Sequence, residues 1–296
     1  MPITANIVLD SISPDGVRLT TFVLRYPRFI HSEFMTHRAF SRNASSSRAI
    51  PFTKQVSNTL NDIAYPLDFR SNKKGMAAGK PLVPWRQAMC RFLWRTHAYT
   101  SAGIAWCIHK LGAHKQYANR LLEPTSHIEV VVTATDWNNF YALRCHPAAQ
   151  PEIAELARKM WQSQVQSQPK TLKYYEWHLP FVSKEEIDEM LWICAVANQL
   201  PRFDDWLPLI KRSVARCARV SYLNHYGKSP TLQQDLDLYD RLVGSTPIHA
   251  SPTEHQARPG NSIMGTELPS NLNGWMQFRK TLTHENVTDF KPDVKY

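Results

Sequence analysis

The chain has no stretch approaching the roughly 20 consecutive apolar residues that a membrane span needs, so no membrane anchor is expected. Its first residues, MPITANIVLD, lack a basic region followed by an apolar core, which is not a signal-peptide pattern. Organised cysteine is missing too. Cys90, Cys107, Cys145, Cys194 and Cys217 are scattered, odd in number and form no CxxC pair. Neither a disulfide framework nor a zinc site is suggested, no metal is expected, and a reducing cytoplasm fits best. Neither GxGxxG nor GxxxxGK[ST] occurs, so the two common phosphate cradles are not signalled. Internal repeats and low-complexity tracts are also lacking.

What is present reads as an ordinary globular protein. The 296 residues are 43% hydrophobic and 20% charged, enough for one large domain with a real core. The formal net charge of +10 favours anionic partners. The basic residues are spread along the chain and not gathered in a tail, which favours anionic small molecules in clefts over a nucleic-acid groove.

Hydrophobic periodicity places the elements. Residues 16–26 (GVRLTTFVLRY) alternate and predict a strand ended by Pro27. Residues 29–40 predict a short helix, and 41–50 (SRNASSSRAI) a polar loop. Residues 61–84 form a long Pro- and Lys-bearing loop, of a kind that is often functional. A long helix over 85–111 is stopped by Gly112. Residues 128–134 predict a second strand, and Asp136 a helix cap for 136–144. Helices follow at about 151–167, 184–198, 205–218 and 231–243, the last capped by Ser229 or Thr231. The mixture predicts an α+β fold, a mixed sheet flanked by helices, in one catalytic domain over 1–296.

The densest chemistry lies between Thr36 and Arg48, where three arginines, a histidine, an asparagine and four serines fall within thirteen residues. Arginine forks and serine hydroxyls suit phosphate and carboxylate groups, although a solvated basic loop would have the same composition. The order of residues adds to this. His37, Arg38 and Ser46, with Asn43 and Arg48 around them, resemble the Arg-His-Arg, seven residues, Ser signature of flavin-dependent thymidylate synthases. Thr36 replaces the signature's first arginine, Ala44 replaces its glutamate, and Glu33 stands where the family often has glutamine. A second block, with Asn139, Arg144, Gln150 and Glu152, is similar to the family's Asn-four-Arg and Gln-x-Glu-Ile stretch, and Arg120 to Pro124 resembles its Arg-x-x-x-Pro block. Ala148 replaces a family histidine there. Cys217 to Tyr222 and Ser251 to His255 resemble the Ala-Arg-Val-Ser-Tyr and Ser-Pro-Phe-Glu-His blocks, which usually come first. Their late position resembles a circular permutation, with a signature half at 16–160, a permuted half at 205–256 and a tail at 257–296.

The resemblance implies an enzyme that transfers a one-carbon unit from methylenetetrahydrofolate to C5 of dUMP, with FAD as cofactor and NADPH as reductant. It implies Arg144 and Ser46 as catalytic residues. Glu33, Ser46, Ser47, Arg48, Arg120 and Arg144 would bind the nucleotide, and His37, Arg38, Asn139 and His255 the flavin. Glu152 and Glu254 are expected to brace the structure. It further implies a homotetramer with shared sites. Thr36 and Ala44 leave open a related pyrimidine nucleotide hydroxymethylase or a non-catalytic relative. Two other readings stay open: a cysteine-dependent methylase using Cys145, and an RNA- or DNA-binding module, or RNA-modifying flavoprotein, using Trp275, Phe278, Arg279 and Lys280.

Overall fold

The computed structural model describes residues 3–75, 77–220, 228–245, 247–260 and 270–286. Along the chain run β1 (Thr4–Ile12), β2 (Arg18–Pro27), a 3-10 turn leading into α1 (His31–Phe34), β3 (Ser41–Ala44), α2 (Phe52–Asn61) and α3 (Pro84–Lys110). Next come α4 (Lys115–Ala118), a 3-10 segment Asn119–Thr125, β4 (His127–Ala134), α5 (Asn138–Arg144), α6 (Pro151–Gln166) and β5 (Lys170–Thr171). The remainder comprises α7 (Lys184–Val196), α8 (Phe203–Arg219), α9 (Leu232–Val243), the turn Ser251–Glu254, β6 (Ala257–Pro259) and β7 (Trp275–Gln277).

The main sheet has the order β3-β4-β2-β1-β5. β5 joins β1 in parallel and the other pairs are antiparallel, so the sheet is mixed, as expected of an α+β fold. β2 and β4 form its centre, with Phe22 opposite Val132 and Tyr26 opposite Ile128. Because side chains alternate across a strand, Phe22, Leu24, Tyr26, Val130 and Val132 point to one face and bury under α6. There the helix offers Ile153, Leu156, Ala157 and Met160, the i, i+3, i+4, i+7 stripe of an amphipathic helix. Pro151 at its first position supplies a φ already suited to helix. On the opposite face Val23 and Val131 meet Cys217 and Val220 from the end of α8. Both faces are covered, which explains the nearly unbroken apolar run in β4.

Smaller cores flank the sheet. Trp206, Ile210 and Val214 of α8 pack with Tyr239 of α9, Trp177 and Phe278. Phe52 of α2 packs with Ala102 and Ala105 of α3 and with Leu122. Gly112, at φ +89, closes α3 as predicted, and Thr231 caps α9 in a reciprocal capping box with Gln234.

Three expectations are corrected, and two elements were not anticipated. The helix expected over 29–40 is only a 3-10 turn and the four-residue α1, because Thr36 and His37 turn back onto Glu33 and Phe34. The loop expected at 41–50 begins as the edge strand β3, whose polar side chains are engaged by other elements. Asp136 does not cap α5, since Trp137 occupies the cap position without a side-chain bond. Strand β1 and helix α2 were not anticipated. Ser221 and Tyr222 of the third block lie outside the described residues.

Candidate active site around the signature strand

The signature divides at β3. On its N-terminal side, α1 and the turn after it hold Glu33, Thr36 and His37 around the guanidinium of Arg144, which arrives from the last turn of α5. Arg144 donates through Nε to His37 Nε2 at 2.9 Å, through Nη1 to Glu33 Oε2 at 3.3 Å, and through Nη2 to Thr36 Oγ1 at 3.4 Å. Since His37 Nε2 accepts, its proton sits on Nδ1. Burial, then the cations Arg144 and Arg42, lower the His37 pKa to about 4, so the ring is neutral at pH 7. Phe140 meets its edge at 4.8 Å and Phe40 stacks at 5.8 Å, which fixes the ring. Thr36, where the signature has arginine, is thus a neutral acceptor for Arg144. The arrangement is a partly exposed guanidinium with donors to spare, held on three sides.

Past the strand, about 10 Å of extended chain away, lies a second group. Ser46 is exposed, and its Oγ accepts from the backbone N–H of Arg48 at 3.3 Å. Ser47 is buried and donates to Glu123 Oε1 at 2.6 Å, while Asn119 Nδ2 donates to its carbonyl at 2.7 Å. Ser47 therefore pins the loop, in contrast to the substrate-binding role expected of its hydroxyl. Glu123 also pairs with Arg28 at 3.1 Å and loosely with Arg120 at 3.8 Å, leaving Arg120 mostly exposed; Arg48 is exposed as well. Ser45 and Ile50 border a cleft of about 390 Å³, whose walls include Arg25, Lys54, Asn58, His127 and Arg219.

The strand between the two groups is where the late blocks meet the signature. Asn43 Nδ2 donates to the carbonyls of Cys217 at 2.8 Å and Ala218 at 3.4 Å, and Asn43 Oδ1 accepts from Ser251 Oγ at 3.0 Å. One asparagine thus ties both late blocks to β3. Arg42, on the alternate face, donates to the carbonyls of Phe34 and Met35 at the end of α1. Val220 closes α8 in the left-handed region at φ +59, a strained conformation for a β-branched residue. Sequence reasoning gave Asn43 and Arg42 no role. Their polarity within a predicted loop was the available signal.

The residues expected at a flavin separate. Arg38 and Asn139 are exposed near the Arg144 cluster, which His37 joins. His255 is fully buried on the far face of the sheet, so within one chain it reaches no external ligand, contrary to expectation. Its Nδ1 bonds Thr133 Oγ1 at 2.8 Å, Thr133 bonds Thr21 at 2.7 Å, Thr21 bonds His178 Nε2 at 2.8 Å, and His178 Nδ1 bonds Ser11 at 2.8 Å. Burial lowers the pKa of both histidines to about 3. The two bracing glutamates behave as expected. Glu152 accepts from the Leu67 N–H at 2.7 Å and so anchors the 61–84 loop, and Glu254 pairs with Arg279.

Residues 17–170 match the family model for thymidylate synthase complementing protein, slightly more than half of the chain. The chain belongs to that family. The match spans β2 to the start of β5, so it holds both the signature and Arg144 and ends before the late blocks. Among solved structures, a UMP/dUMP methylase PolB from Streptomyces cacaoi bound with 5-Br UMP aligns at TM-score 0.44 and 18% identity, over 55% of this chain and 88% of that one. The same protein with 5-Br dUMP aligns at TM-score 0.42 and 17% identity, over 55% and 90%. No curated protein matches the chain. Among the described residues, no helix is long and apolar enough to cross a membrane, and no group of three acids, cysteines or histidines could hold a metal.

Proposed function

We propose that this chain is a flavin-dependent thymidylate synthase, which transfers a one-carbon unit from methylenetetrahydrofolate to C5 of dUMP. One observation carries this reading: a guanidinium from the second sequence block is clasped by three residues of the signature block, over a hundred residues away. Arg144 has N–H donors beyond those bonds and is only partly exposed. It can therefore hydrogen-bond a pyrimidine carbonyl and stabilise negative charge developing on the ring where water is scarce. Neutral His37 orients it. Arg48, Arg120 and Ser46 supply exposed donors for the phosphate. Glu33 accepts from a ring N–H or stays paired with Arg144.

Exposed Arg38 and Asn139 have the donor chemistry to hold FAD beside this cluster, and buried His255 does not fit that role within one chain. Bound flavin would carry the reducing equivalent supplied by NADPH, leaving the protein to bind, orient and exclude water. The two clusters flank β3 in one chain, which suits sites completed by neighbouring subunits in a homotetramer and a cytoplasmic enzyme of nucleotide metabolism. The late blocks docked on Asn43 support a circular permutation within a single domain.

Exposed Cys145 offers little to the cysteine-nucleophile alternative: partial desolvation raises its thiol more than Arg158 lowers it, away from a thiolate. The test is an absorbance spectrum of purified protein with FAD, followed by mass analysis of the product from dUMP, methylenetetrahydrofolate and NADPH. A yellow protein that adds 14 mass units to dUMP, roughly one CH₂, supports the reading. A gain of about 30, roughly one CH₂O, favours the hydroxymethylase. Failure to bind either FAD or dUMP sinks both.

A further inference from the structure

Helix α3 is the longest element, about 40 Å at 1.5 Å per residue, yet it is poorly covered. Only its small residues Ala98, Ser101, Ala102 and Ala105 are buried. Its outer side carries Trp85, Phe92, Tyr99 and Trp106, one every seven residues and all exposed, Trp85 by 66%. Small residues Thr96 and Gly103 lie four positions after Phe92 and Tyr99 and leave room for another helix to approach. A seven-residue apolar repeat on an open face is the pattern of a helix that packs against a partner helix. The helix contains no aspartate or glutamate, and Arg86, Arg91 and Arg95 line its N-terminal half.

Helix α7 is net acidic, its one cation, Lys184, being paired with Asp188. Glu185, Asp188 and Glu189 are exposed in its first turns, followed by exposed Trp192, Ile193 and Val196, Trp192 by 67%. Within one chain both apolar faces stay in solvent, so they do not cover each other. Two copies of α3 paired in parallel would set arginine against arginine, paired antiparallel would bring Arg86 to the Lys110 end, and neither direction offers the arginines a carboxylate. α3 against α7 sets arginines against carboxylates and joins two apolar stripes. Such charge patterning selects partner and register more than it adds affinity.

We infer that α7 of one copy of this chain docks along α3 of a second copy. The contact sharpens the homotetramer proposed above by naming its surfaces, and it uses a helix outside the segment matched to the family. Its test does not depend on catalysis.

Sedimentation velocity of the full chain over a dilution series, at low and high salt, reads the contact directly. Association that weakens with salt is expected. Glu189→Arg and Arg95→Glu should each weaken it at least about tenfold, since each sets like charges together. The double variant should recover most of that loss, with circular dichroism confirming the fold of all three. A chain that stays monomeric, or association indifferent to both single variants, overturns the proposal. So does a double variant whose losses simply add. An α3 face that captures single-stranded DNA in an Arg95-dependent way, while association is unaffected by Glu189→Arg, would assign it to nucleic acid instead.

Discussion

His37 and His255 both occupy positions resembling family motifs, yet they lie on opposite sides of the sheet and in opposite environments. His37 is partly exposed, gripped by Arg144 and edged by Phe140. His255 is sealed beneath the late blocks, one end of a chain of buried hydroxyls and imidazoles that crosses from β4 to β1. Both rings are kept neutral, but the causes differ: burial with neighbouring cations for the first, burial alone for the second. The surroundings of His37 are polar and open to ligand, and those of His255 are polar and closed. Motif identity does not separate these roles, and burial does.

The largest expected effect is on the open side. Arg144→Ala should lower turnover by about 10² to 10³, the scale of losing one preorganised donor to a developing negative charge. It should cost less than about 1 kcal/mol of stability, because its partners remain half-solvated. Steady-state kinetics beside chemical denaturation would check both. A large stability loss with turnover intact would erase the distinction between the two sides.

Thr133→Val tests the closed side. It removes the hydroxyl that links His255 to Thr21 and leaves buried polar atoms without partners, which costs about 2 to 3 kcal/mol. Turnover per folded molecule should be unchanged. Urea denaturation at pH 7 reads the loss. A change below about 0.5 kcal/mol would mean that the chain of bonds contributes little.

The same histidines set an acid response. His178 and His255 have folded pKa values of about 3, and His31, His37 and His127 of about 4, all below the ordinary 6.5. Below pH 6.5 the unfolded chain takes up protons that the folded chain refuses, so stability falls as pH falls from about 6.5 towards 3. Above pH 6.5 these groups are neutral in both states and contribute no slope. His178→Phe should flatten the acid limb by one proton. Denaturation midpoints from pH 7 to pH 4.5 would show it, and an unchanged slope would locate the acid sensitivity elsewhere.

These contrasts also show what was legible in the sequence. The central strands, α3 with its glycine stop, α6 and the Thr231 cap follow from local periodicity and capping chemistry, and they stand where expected. β1 escaped because this strand carries buried Asp10 and Ser11, polar residues made tolerable by Arg18, Thr20 and His178. β3 escaped because its serine, arginine and asparagine read as loop. Its ladder comes from β4, and its side-chain bonds come from segments up to 236 residues away. Arg144, Thr36, Glu33 and His37 come from two separately matched blocks, and their meeting is a tertiary fact that the blocks did not specify. The burial of Ser47 and His255 depends on long-range packing that no window of sequence reports.

The smallest effect sharpens the comparison most finely, since it separates two neighbouring serines. Ser47→Ala removes the bond to Glu123 and loosens the loop, at a cost of about 1 kcal/mol, because Glu123 keeps Arg28 as a partner. Ser46→Ala should change stability by less than about 0.5 kcal/mol, as an exposed hydroxyl with one weak backbone bond. The order should reverse for ligand: dUMP binding, followed by calorimetry, should weaken more for Ser46→Ala than for Ser47→Ala. If Ser47 proves the more important for binding, the loop must open to expose it. The line between closed and open polar groups would then run through the signature itself and not along the sheet.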